Sequence, residues 1–326
     1  MPKRNETARR AAADERVRPR LEDDAVRPIL KWAGGKRQLL PALRRYYPPD
    51  FERYFEPFLG SGAVFLDFHN GGRLDGRDVH LSDINADVIG CYRMVRDDVD
   101  GVIAELAVLD EGHRADGDRH FYAVRDGRFN AIRRDVHASR EPATAYTPAL
   151  AAMLIYLNRT GYNGLFRVNS RGAFNVPAGR YSSVRICDAP NLRRLSAALR
   201  RPGLTLDVRS FEAALEPTGP KDFVYLDPPY SPVSRTAHFT AYTAGRFGLE
   251  QQTALQRLVV TLARRGTAVL LSNSVAPDIR RLYKDDGDAR AAGLAAKTVA
   301  ARRAINSRAS RRGAVREYVI TNIRVN

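Results

Sequence analysis

The sequence of 326 residues contains only two cysteines, Cys91 and Cys187. Two cysteines exclude a disulfide framework and a four-cysteine zinc site, and they indicate a reducing compartment. Long apolar runs are also missing, since the longest, such as 149–157, are far too short to cross a bilayer. Residues 1–27 lack the apolar stretch of a signal peptide. We therefore expect a cytoplasmic protein that contacts no membrane.

Acidic residues are in short supply relative to basic ones. The chain has 53 Lys and Arg against 37 Asp and Glu, a net charge of +16, and a pI near 10.2. Most of the basic residues are arginine, whose planar fork binds phosphate and stacks on bases. An arginine-rich codon bias explains part of this excess, but it would not lift arginine above Asp and Glu combined. The charge therefore predicts a polyanionic partner, most often nucleic acid.

The organisation of the chain is that of an interrupted α/β domain. Residues 1–27 are charged and predict a flexible basic arm. Residues 28–98 and 202–326 alternate strand and helix signals, which predicts a doubly wound, mostly parallel, Rossmann-like sheet. Residues 99–201 are polar and helix-patterned, and we predict a mainly helical insertion; 285–312 give no clear signal. Strands are predicted at 53–57, 79–82, 204–208, 223–226, 268–271 and 318–323, and helices at 63–68, 86–96 and 249–264.

The most informative motif is Asp227-Pro228-Pro229-Tyr230, which follows an apolar run typical of a buried strand. The two prolines fix φ near about −65° and remove two backbone donors, so the turn is stiff and its carbonyls point outward. A carboxylate, a free carbonyl and an aromatic face are then held together. This set suits a planar heterocycle that bears an exocyclic amine. The alternative is a plain turn in which the acid is a local cap and the tyrosine packs at the rim.

A glycine loop follows the first predicted strand and leads into a helix. In Phe58-Leu59-Gly60-Ser61-Gly62, glycines let the backbone approach a ligand, and the helix N-terminus offers free N–H groups. The third glycine of the dinucleotide fingerprint is missing, which argues against NAD. Asp83 ends the second strand, where an acid accepts hydrogen bonds from ribose hydroxyls. The alternative for Asp83 is an N-cap of the helix that begins near Ala86.

Two further segments carry candidate binding residues. Around the only tryptophan, Trp32, stand Lys31, a double glycine and Lys36. An indole face suits a sulfonium or an adenine, and Lys36 suits a carboxylate; the alternative is an exposed turn. In 156–167 and 171–181, Gly, Asn, Arg and aromatic residues alternate. That composition favours a hairpin that enters a nucleic-acid groove over a purely structural hairpin.

Taken in order, these segments resemble the DNA adenine methylase (Dam) family, whose restriction-modification members recognise GATC and related sites. The resemblance runs from about residue 28 to the C-terminus and includes 239–242, 247–252 and Ser272-Asn273. The departures are the long basic arm and the Ala- and Arg-rich segment near the C-terminus, which put accessory contacts in doubt but not the reaction. The resemblance implies a bacterial or phage-encoded, nucleoid-associated, monomeric enzyme.

The resemblance also implies roles for residues. The donor would be S-adenosylmethionine, leaving S-adenosylhomocysteine, with no metal. An adenine flipped out of double-stranded DNA would stack on Tyr230, and its amine would donate to the Asp227 carboxylate and the Pro228 carbonyl. The matching cofactor positions are Trp32, Lys36, Asp83 and Asp227, beside the loop residues Phe58, Gly60 and Gly62. The DNA-reading positions are Lys31, Tyr162, Asn163, Leu165, Arg167 and Pro177, beside Arg180, with Tyr162 filling the gap left by the flipped base.

Other activities stay open at this point. An RNA adenine methyltransferase would share the cofactor and the amine chemistry. A cytosine-amine methylase is chemically possible, although its motif usually begins with Ser. A catalytically inactive DNA-binding relative would need a broken cofactor loop. Methylation at carbon-5 of cytosine needs a cysteine nucleophile, and neither Cys91 nor Cys187 follows a proline.

Overall fold

A computed structural model describes residues 25–32, 34–230, 247–302 and 314–324 of the chain. The motif at 239–242 and nearly all of the predicted arm lie outside these residues. The arm cannot extend to residue 27 as predicted, because Val26 is only 2% exposed and the Arg27 guanidinium donates to Asp188 at 2.9 Å. No helix in the described ranges is long and apolar enough to span a membrane.

The centre of the protein is a seven-stranded sheet in the order β3-β2-β1-β4-β5-β7-β6. The five strands from β3 to β5 are parallel, whereas β7 pairs antiparallel with both β5 and β6. The strands are β1 (Arg53–Glu56), β2 (Asp78–Asp83), β3 (Leu204–Val208), β4 (Phe223–Leu226), β5 (Ala268–Ser274), β6 (Ala295–Arg302) and β7 (Ala314–Thr321).

The strand order reverses between β1 and β4, which are neighbours in the sheet although β2 and β3 separate them in the chain. In open α/β sheets, ligands bind at such a switch point, outside the carboxyl ends of the strands. The glycine loop follows β1 and Asp227 follows β4, so both predicted halves of the site lie at this point. The predicted doubly wound, mostly parallel sheet is confirmed.

Helices cover the sheet and form most of the chain between β2 and β3. The short helix α11 continues into a π turn at Arg280–Lys284. The helices are α1 (Leu40–Leu43), α2 (Ala63–Asn70), α3 (Ala86–Asp97), α4 (Val99–Asp116), α5 (Asp118–Val124), α6 (Asn130–His137), α7 (Pro148–Thr160), α8 (Ala189–Leu199), α9 (Phe211–Leu215), α10 (Leu249–Arg264), α11 (Pro277–Ile279) and α12 (Gly287–Ala291).

The apolar side chains form two clusters, one on each face of the sheet. Along β4, Phe223 and Tyr225 belong to one cluster, and Val224 and Leu226 belong to the other, as the alternation of a strand requires. The first cluster continues into α7, where ten of thirteen residues are buried. The helices between β2 and β3 therefore share one core with the sheet, which fixes their position relative to it.

The largest error of the sequence prediction lies near the C-terminus. Strand β6 was not predicted, although it pairs along its whole length with β7. Strand β7 was predicted at 318–323 but spans Ala314–Thr321. Because β6 is built largely from alanine, a residue depleted in strands, its extended form depends on its partner strand.

Candidate active site

The acid of the Asp-Pro-Pro-Tyr motif is the first residue after β4. All four residues of β4 are buried, so the strand delivers Asp227 rigidly to the switch point. The Asp227 side chain is 22% exposed, and its Oδ1 lies 2.7 Å from Lys36 Nζ and accepts a hydrogen bond from Ser272 Oγ at 3.2 Å. Burial raises the pKa of Asp227, and the Lys36 ammonium opposes this shift. The neighbouring cation thus favours the charged form of a poorly hydrated carboxylate.

Two buried amides hold the turn that follows Asp227. Gln252 Nε2 donates to the Pro229 carbonyl at 2.9 Å, and Asn273 Nδ2 donates to Gln252 Oε1 at 3.0 Å. Both side chains are fully buried. Within the described ranges, the Pro228 carbonyl accepts no hydrogen bond. The turn therefore offers one carbonyl to a ligand while the other is used to fix the backbone.

Tyr230 is fixed at its hydroxyl end. Its OH donates to Glu317 Oε2 at 2.7 Å, from the neighbouring strand β7, and Lys36 Nζ lies 4.7 Å from the centre of its ring. The Tyr230 ring is therefore held from both its hydroxyl end and its face. Sequence reasoning missed Glu317, because its partner lies 87 residues away in the chain.

The glycine loop takes the conformation that glycine permits. Gly60 and Gly62 have φ of +46° and +64°, in the left-handed region. A Cβ at Gly60 would lie 2.8 Å from Trp32 Cδ1, so the indole leaves no room for any larger residue. The Gly60 N–H donates to Asp83 Oδ2 at 2.9 Å, which ties the loop to the end of β2.

Asp83 is engaged by backbone donors on both oxygens. Its Oδ1 accepts from the Asn85 N–H at 2.9 Å, while Asn85 itself caps α3 by accepting from Asp87 N. The alternative role of Asp83 as the helix cap is therefore wrong. Burial raises the pKa of Asp83 to about 6 against the hydrogen bonds of Asn85, Gly60 and Ile84. The Ile84 side chain, next to it, is 58% exposed, which leaves apolar surface beside the carboxylate.

Trp32 and Lys36 belong to the same site and not to an exposed turn. Lys36 is 4% exposed, and besides Asp227 its ammonium contacts the Gly34 carbonyl. Trp32 stacks on Phe166 with ring centres 5.8 Å apart. Because Phe166 lies in the predicted DNA-reading hairpin, Trp32 joins the glycine loop to that hairpin.

Comparison with known proteins agrees with this geometry. The model of the D12 class N6 adenine-specific DNA methyltransferase family matches residues 32–305. The chain belongs to this family. Among curated relatives, it is 33% identical over 302 residues to the Type II methyltransferase M1.LlaDCHI of Lactococcus lactis subsp. cremoris, covering 91% of this chain and 95% of that one.

Two other relatives match this chain over nearly their whole length. The Type II methyltransferase M.MjaIII of Methanocaldococcus jannaschii is 37% identical over 308 residues, 91% of this chain and 99% of that one. The DNA adenine methylase of Haemophilus influenzae is 31% identical over 304 residues, 93% of this chain and 95% of that one. The protein is thus an adenine-specific DNA methyltransferase, as the resemblance implied.

In this methyltransferase, all of the predicted DNA-reading residues except Lys31 lie in one irregular hairpin, the recognition segment (residues 161–181). Only two isolated bridges join its strands, Gly161 to Ala178 and Val168 to Phe174. Tyr162, Pro177 and Arg180 are exposed, and Leu165 is half-buried. Asn163 has φ of +55°, which Asn tolerates better than most residues. The hairpin was predicted, but how it is held was not.

Two basic side chains of the DNA-reading set are already oriented by the protein. Arg167 donates from Nε to Asn175 Oδ1 at 2.7 Å and from Nη2 to the Asn175 carbonyl at 3.1 Å. Lys31 donates to the Arg159 carbonyl at 3.1 Å and lies 4.3 Å from the centre of the Tyr181 ring. Burial and the nearby Arg159 lower the pKa of Lys31. Each cation is therefore held against the recognition segment.

One buried acid of the site was not singled out from the sequence. Glu56, the last residue of β1, accepts from Tyr54 OH at 2.7 Å and from the Phe65 N–H at 3.0 Å. Burial raises its pKa to about 8. In the described ranges, no group of three or more His, Cys, Asp or Glu side chains is arranged to hold a metal ion.

Proposed function

We propose that this enzyme transfers the methyl group of S-adenosylmethionine to the exocyclic amine of an adenine flipped out of duplex DNA, and that its site is GATC. The observation that carries the proposal is the meeting, at the β1–β4 switch point, of a cofactor-type loop with an amine-accepting turn. Residues 99–201 would form the target-recognition insertion, since the recognition segment lies within them.

The residues around the glycine loop fit the proposed cofactor. Its ribose hydroxyls find acceptors in the lone pairs of Asp83 that remain beside the backbone donors. Its adenine finds exposed apolar surface at Ile84 and the half-buried Phe58 ring, which stacks on Phe211 at 5.6 Å. When bound, S-adenosylmethionine supplies an electrophilic methyl group on a positively charged sulfur.

The Asp-Pro-Pro-Tyr turn fits the amine. Two acceptors, the Asp227 carboxylate and the Pro228 carbonyl, would take its two N–H groups and draw the nitrogen lone pair out of ring conjugation. The Gln252 contact fixes the turn beforehand, so positioning supplies much of the acceleration. As the methyl group is transferred, Asp227 stabilises the positive charge on nitrogen before a proton leaves to solvent.

Sequence choice would come from the recognition segment. A guanidinium presented edge-on is the commonest specific reader of guanine in the major groove. Arg167 donates to Asn175 from Nε and Nη2, and within the described part of the chain its Nη1 donates to no other group, so Nη1 would be left to face DNA. The exposed Tyr162 ring would fill the place of the flipped adenine. The proposal of GATC rests on the resemblance of Leu165, Arg167 and Pro177 to the pattern of family members that read this site.

The test is a methyl-transfer assay with purified protein and S-adenosylmethionine labelled in the methyl group. Substrates are a duplex with one GATC, the same duplex with one base pair changed, and an RNA of the same sequence. We expect N6-methyladenine in the GATC duplex alone. A 2-aminopurine at the target position should gain fluorescence on binding, as an unstacked base does. Methyl transfer to the RNA would overturn duplex DNA as the proposed substrate. Methyl transfer at another tetramer would overturn GATC as the proposed site.

A further inference from the structure

The recognition segment is supported from behind by one helix. Helix α5, a π turn at Arg125–Phe129 and α6 run without a break over residues 118–137, which we call the clamp helix. The π turn adds a residue, and the Asn130 N–H bonds back to the Arg125 carbonyl five positions earlier. Side chains of the clamp helix at 125, 130 and 133 all contact residues 172–177, which we call the return strand.

These contacts fall on every second residue of the return strand. Arg133 Nη1 donates to the Gly172 carbonyl. Asn130 accepts from the Phe174 N–H at 2.8 Å and donates to the Phe174 carbonyl at 3.0 Å. Arg125 Nη1 donates to the Val176 carbonyl at 2.9 Å. These side chains thus form the backbone hydrogen bonds that a neighbouring strand would otherwise form along this edge, and the Asn130 amide takes the place of a backbone amide.

The residues in between face the other way. The Ala173 carbonyl accepts from the Asn169 N–H at 2.9 Å, and the Asn175 N–H donates to the Arg167 carbonyl at 3.1 Å. The return strand is therefore bonded to the clamp helix on one edge and to the outgoing strand on the other. A slip of one residue would exchange the two edges and break both sets, so the contacts define one register.

That register sets the position of Arg167. Asn175 lies on the return strand between the residues that Asn130 and Arg125 hold, and its side-chain and backbone oxygens orient the Arg167 guanidinium. The path from the clamp helix to the proposed guanine reader is therefore two contacts long. No residue of the clamp helix has to touch DNA for it to influence sequence choice.

The clamp helix is itself anchored next to the cofactor side. Arg133 donates from Nε at 3.0 Å and from Nη2 at 2.7 Å to Asp87, whose side chain is 1% exposed, near the start of α3. Tyr146 OH and His137 Nε2 complete the shell of Asp87 at 2.8 and 3.0 Å. Burial alone would raise the pKa of Asp87, but the bonds from His137 and Arg133 outweigh it and lower that pKa.

We propose that Arg125, Asn130 and Arg133 are positioning residues for sequence choice, which hold the return strand in the register that presents Arg167 to DNA. The inference rests on the proposed reading of DNA by the recognition segment, but not on GATC being the site. Because Arg133 bridges Asp87 and Gly172, it also fixes that register relative to the helix that begins beside Asp83.

The test measures selectivity, which a merely structural role would not change. The methylated site of the wild type is first found by long-read sequencing of DNA from a methylase-free host. The selectivity ratio is then measured for the wild type, Asn130→Ala and Arg125→Ala. This ratio is kcat/KM on the methylated site divided by kcat/KM on a site in which the base pair that Arg167 is proposed to contact has been changed. We expect each ratio to fall about tenfold, while cofactor affinity stays within about twofold of the wild type.

Two controls make the result specific. Val124→Ala removes a buried side chain of the same helix, 1% exposed, that makes no side-chain hydrogen bond to the return strand. It should lower stability and leave the ratio unchanged. In an Arg167→Ala background, Asn130→Ala should have no further effect on the ratio, since the clamp acts through Arg167. Arg133→Ala would also leave the buried Asp87 carboxylate without its main partner, so the selectivity test does not use this variant.

The outcomes separate this inference from the proposed function. A wild type that shows no site preference on duplex DNA overturns the proposed function. A selective wild type whose ratio survives Asn130→Ala and Arg125→Ala overturns the clamp. A ratio that falls equally in Val124→Ala, or that falls again in the Arg167→Ala background, also overturns it, because the effect would then come from general loosening.

Discussion

The catalytic edge and the recognition segment are built in opposite ways. At the catalytic edge, which comprises residues 58–62, Asp83 and 227–230, each functional segment lies at or just beyond the C-terminal end of a parallel strand of the sheet. The recognition segment has only two isolated bridges of its own, and side chains from a helix some forty residues earlier hold it in place. The proposed reaction chemistry is therefore positioned mainly by strands of the sheet, and the proposed sequence choice by contacts between side chains and backbone.

This difference has a physical consequence for variation. A strand end is fixed by many backbone hydrogen bonds, so a changed side chain there removes a chemical group and leaves the geometry. In the recognition segment a few side chains determine the geometry, so one change moves a neighbour. We expect variants at the catalytic edge to lose turnover and variants in the recognition segment to lose discrimination.

The largest effect is expected from Asp227→Ala. Removing the carboxylate takes away the acceptor and the negative charge opposite the amine, so methyl transfer should fall to background. DNA binding should largely survive, because the residues proposed to contact DNA lie in the recognition segment and at Lys31. Single-turnover transfer and fluorescence anisotropy on the same duplex measure the two properties.

Asp50→Ala is the matched control, since this acid lies before β1, at the opposite end of that strand, with its side chain 83% exposed. It should leave turnover unchanged. If Asp227→Ala retained turnover within about tenfold of the wild type, the role assigned to the carboxylate would be wrong.

Asp83→Ala should have the next largest effect. We expect affinity for S-adenosylmethionine to fall by about 1.5–3 kcal/mol, the range for a lost hydrogen bond to a charged group. Asn85→Ala removes the helix cap beside it, and should cost about 1 kcal/mol of stability without a comparable loss of affinity. If calorimetry showed equal affinity for the wild type and Asp83→Ala, Asp83 would have no role in cofactor binding and would only hold the glycine loop through Gly60.

Arg167→Ala tests the other region. An Arg fork on guanine contributes about 1–3 kcal/mol of discrimination, and we expect that much selectivity to disappear while turnover on near-cognate duplexes changes less. Arg180→Ala, an exposed cation of the same segment, is the control for charge alone. Equal loss of turnover on all duplexes in Arg167→Ala would assign this residue to general DNA binding.

The sequence predicted the catalytic edge well and the recognition segment less well. Strands β3 and β4 and helix α10 have the predicted bounds, because continuous apolar runs and helical periodicity are local signals. Asp227, Asp83 and the glycine loop could be placed because each follows such a signal. The contacts of Asn130 with Phe174 and of Glu317 with Tyr230 span 44 and 87 residues, and no local pattern encodes them.

A pH dependence should separate the cofactor side from the rest of the catalytic edge. Burial raises the pKa of Asp83 to about 6, so the carboxylate is protonated below that pH and ionised above it. If the ribose hydroxyls donate to the ionised form, affinity for S-adenosylmethionine should fall as the pH drops below 6, by no more in total than in Asp83→Ala, and level off above that pH. Binding to Asp83→Asn should be weaker and nearly flat over the same range. An equally steep profile in Asp83→Asn would assign the titration to another group.

The smallest effect is expected at Glu317, whose contact with Tyr230, like that of Gln252 with the Pro229 carbonyl, is made by a side chain distant in the chain. Tyr230 OH donates to Glu317 at 2.7 Å across to β7, but the ring is also next to Lys36 and follows two prolines. Glu317→Ala should therefore raise the activation barrier by only about 0.5–1.5 kcal/mol, which lowers kcat accordingly. Glu317→Gln keeps an acceptor for the hydroxyl and should raise the barrier less. Neither should change KM for DNA. Since the hydrogen bond acts through the hydroxyl, Glu317→Ala should have a smaller effect in a Tyr230→Phe background, where only the charge of Glu317 near Asp227 remains to be lost. An undiminished loss there, or a loss as large as that of Asp227→Ala, would mean that long-range contacts govern the catalytic edge as much as the recognition segment, and the contrast between the two regions would fail.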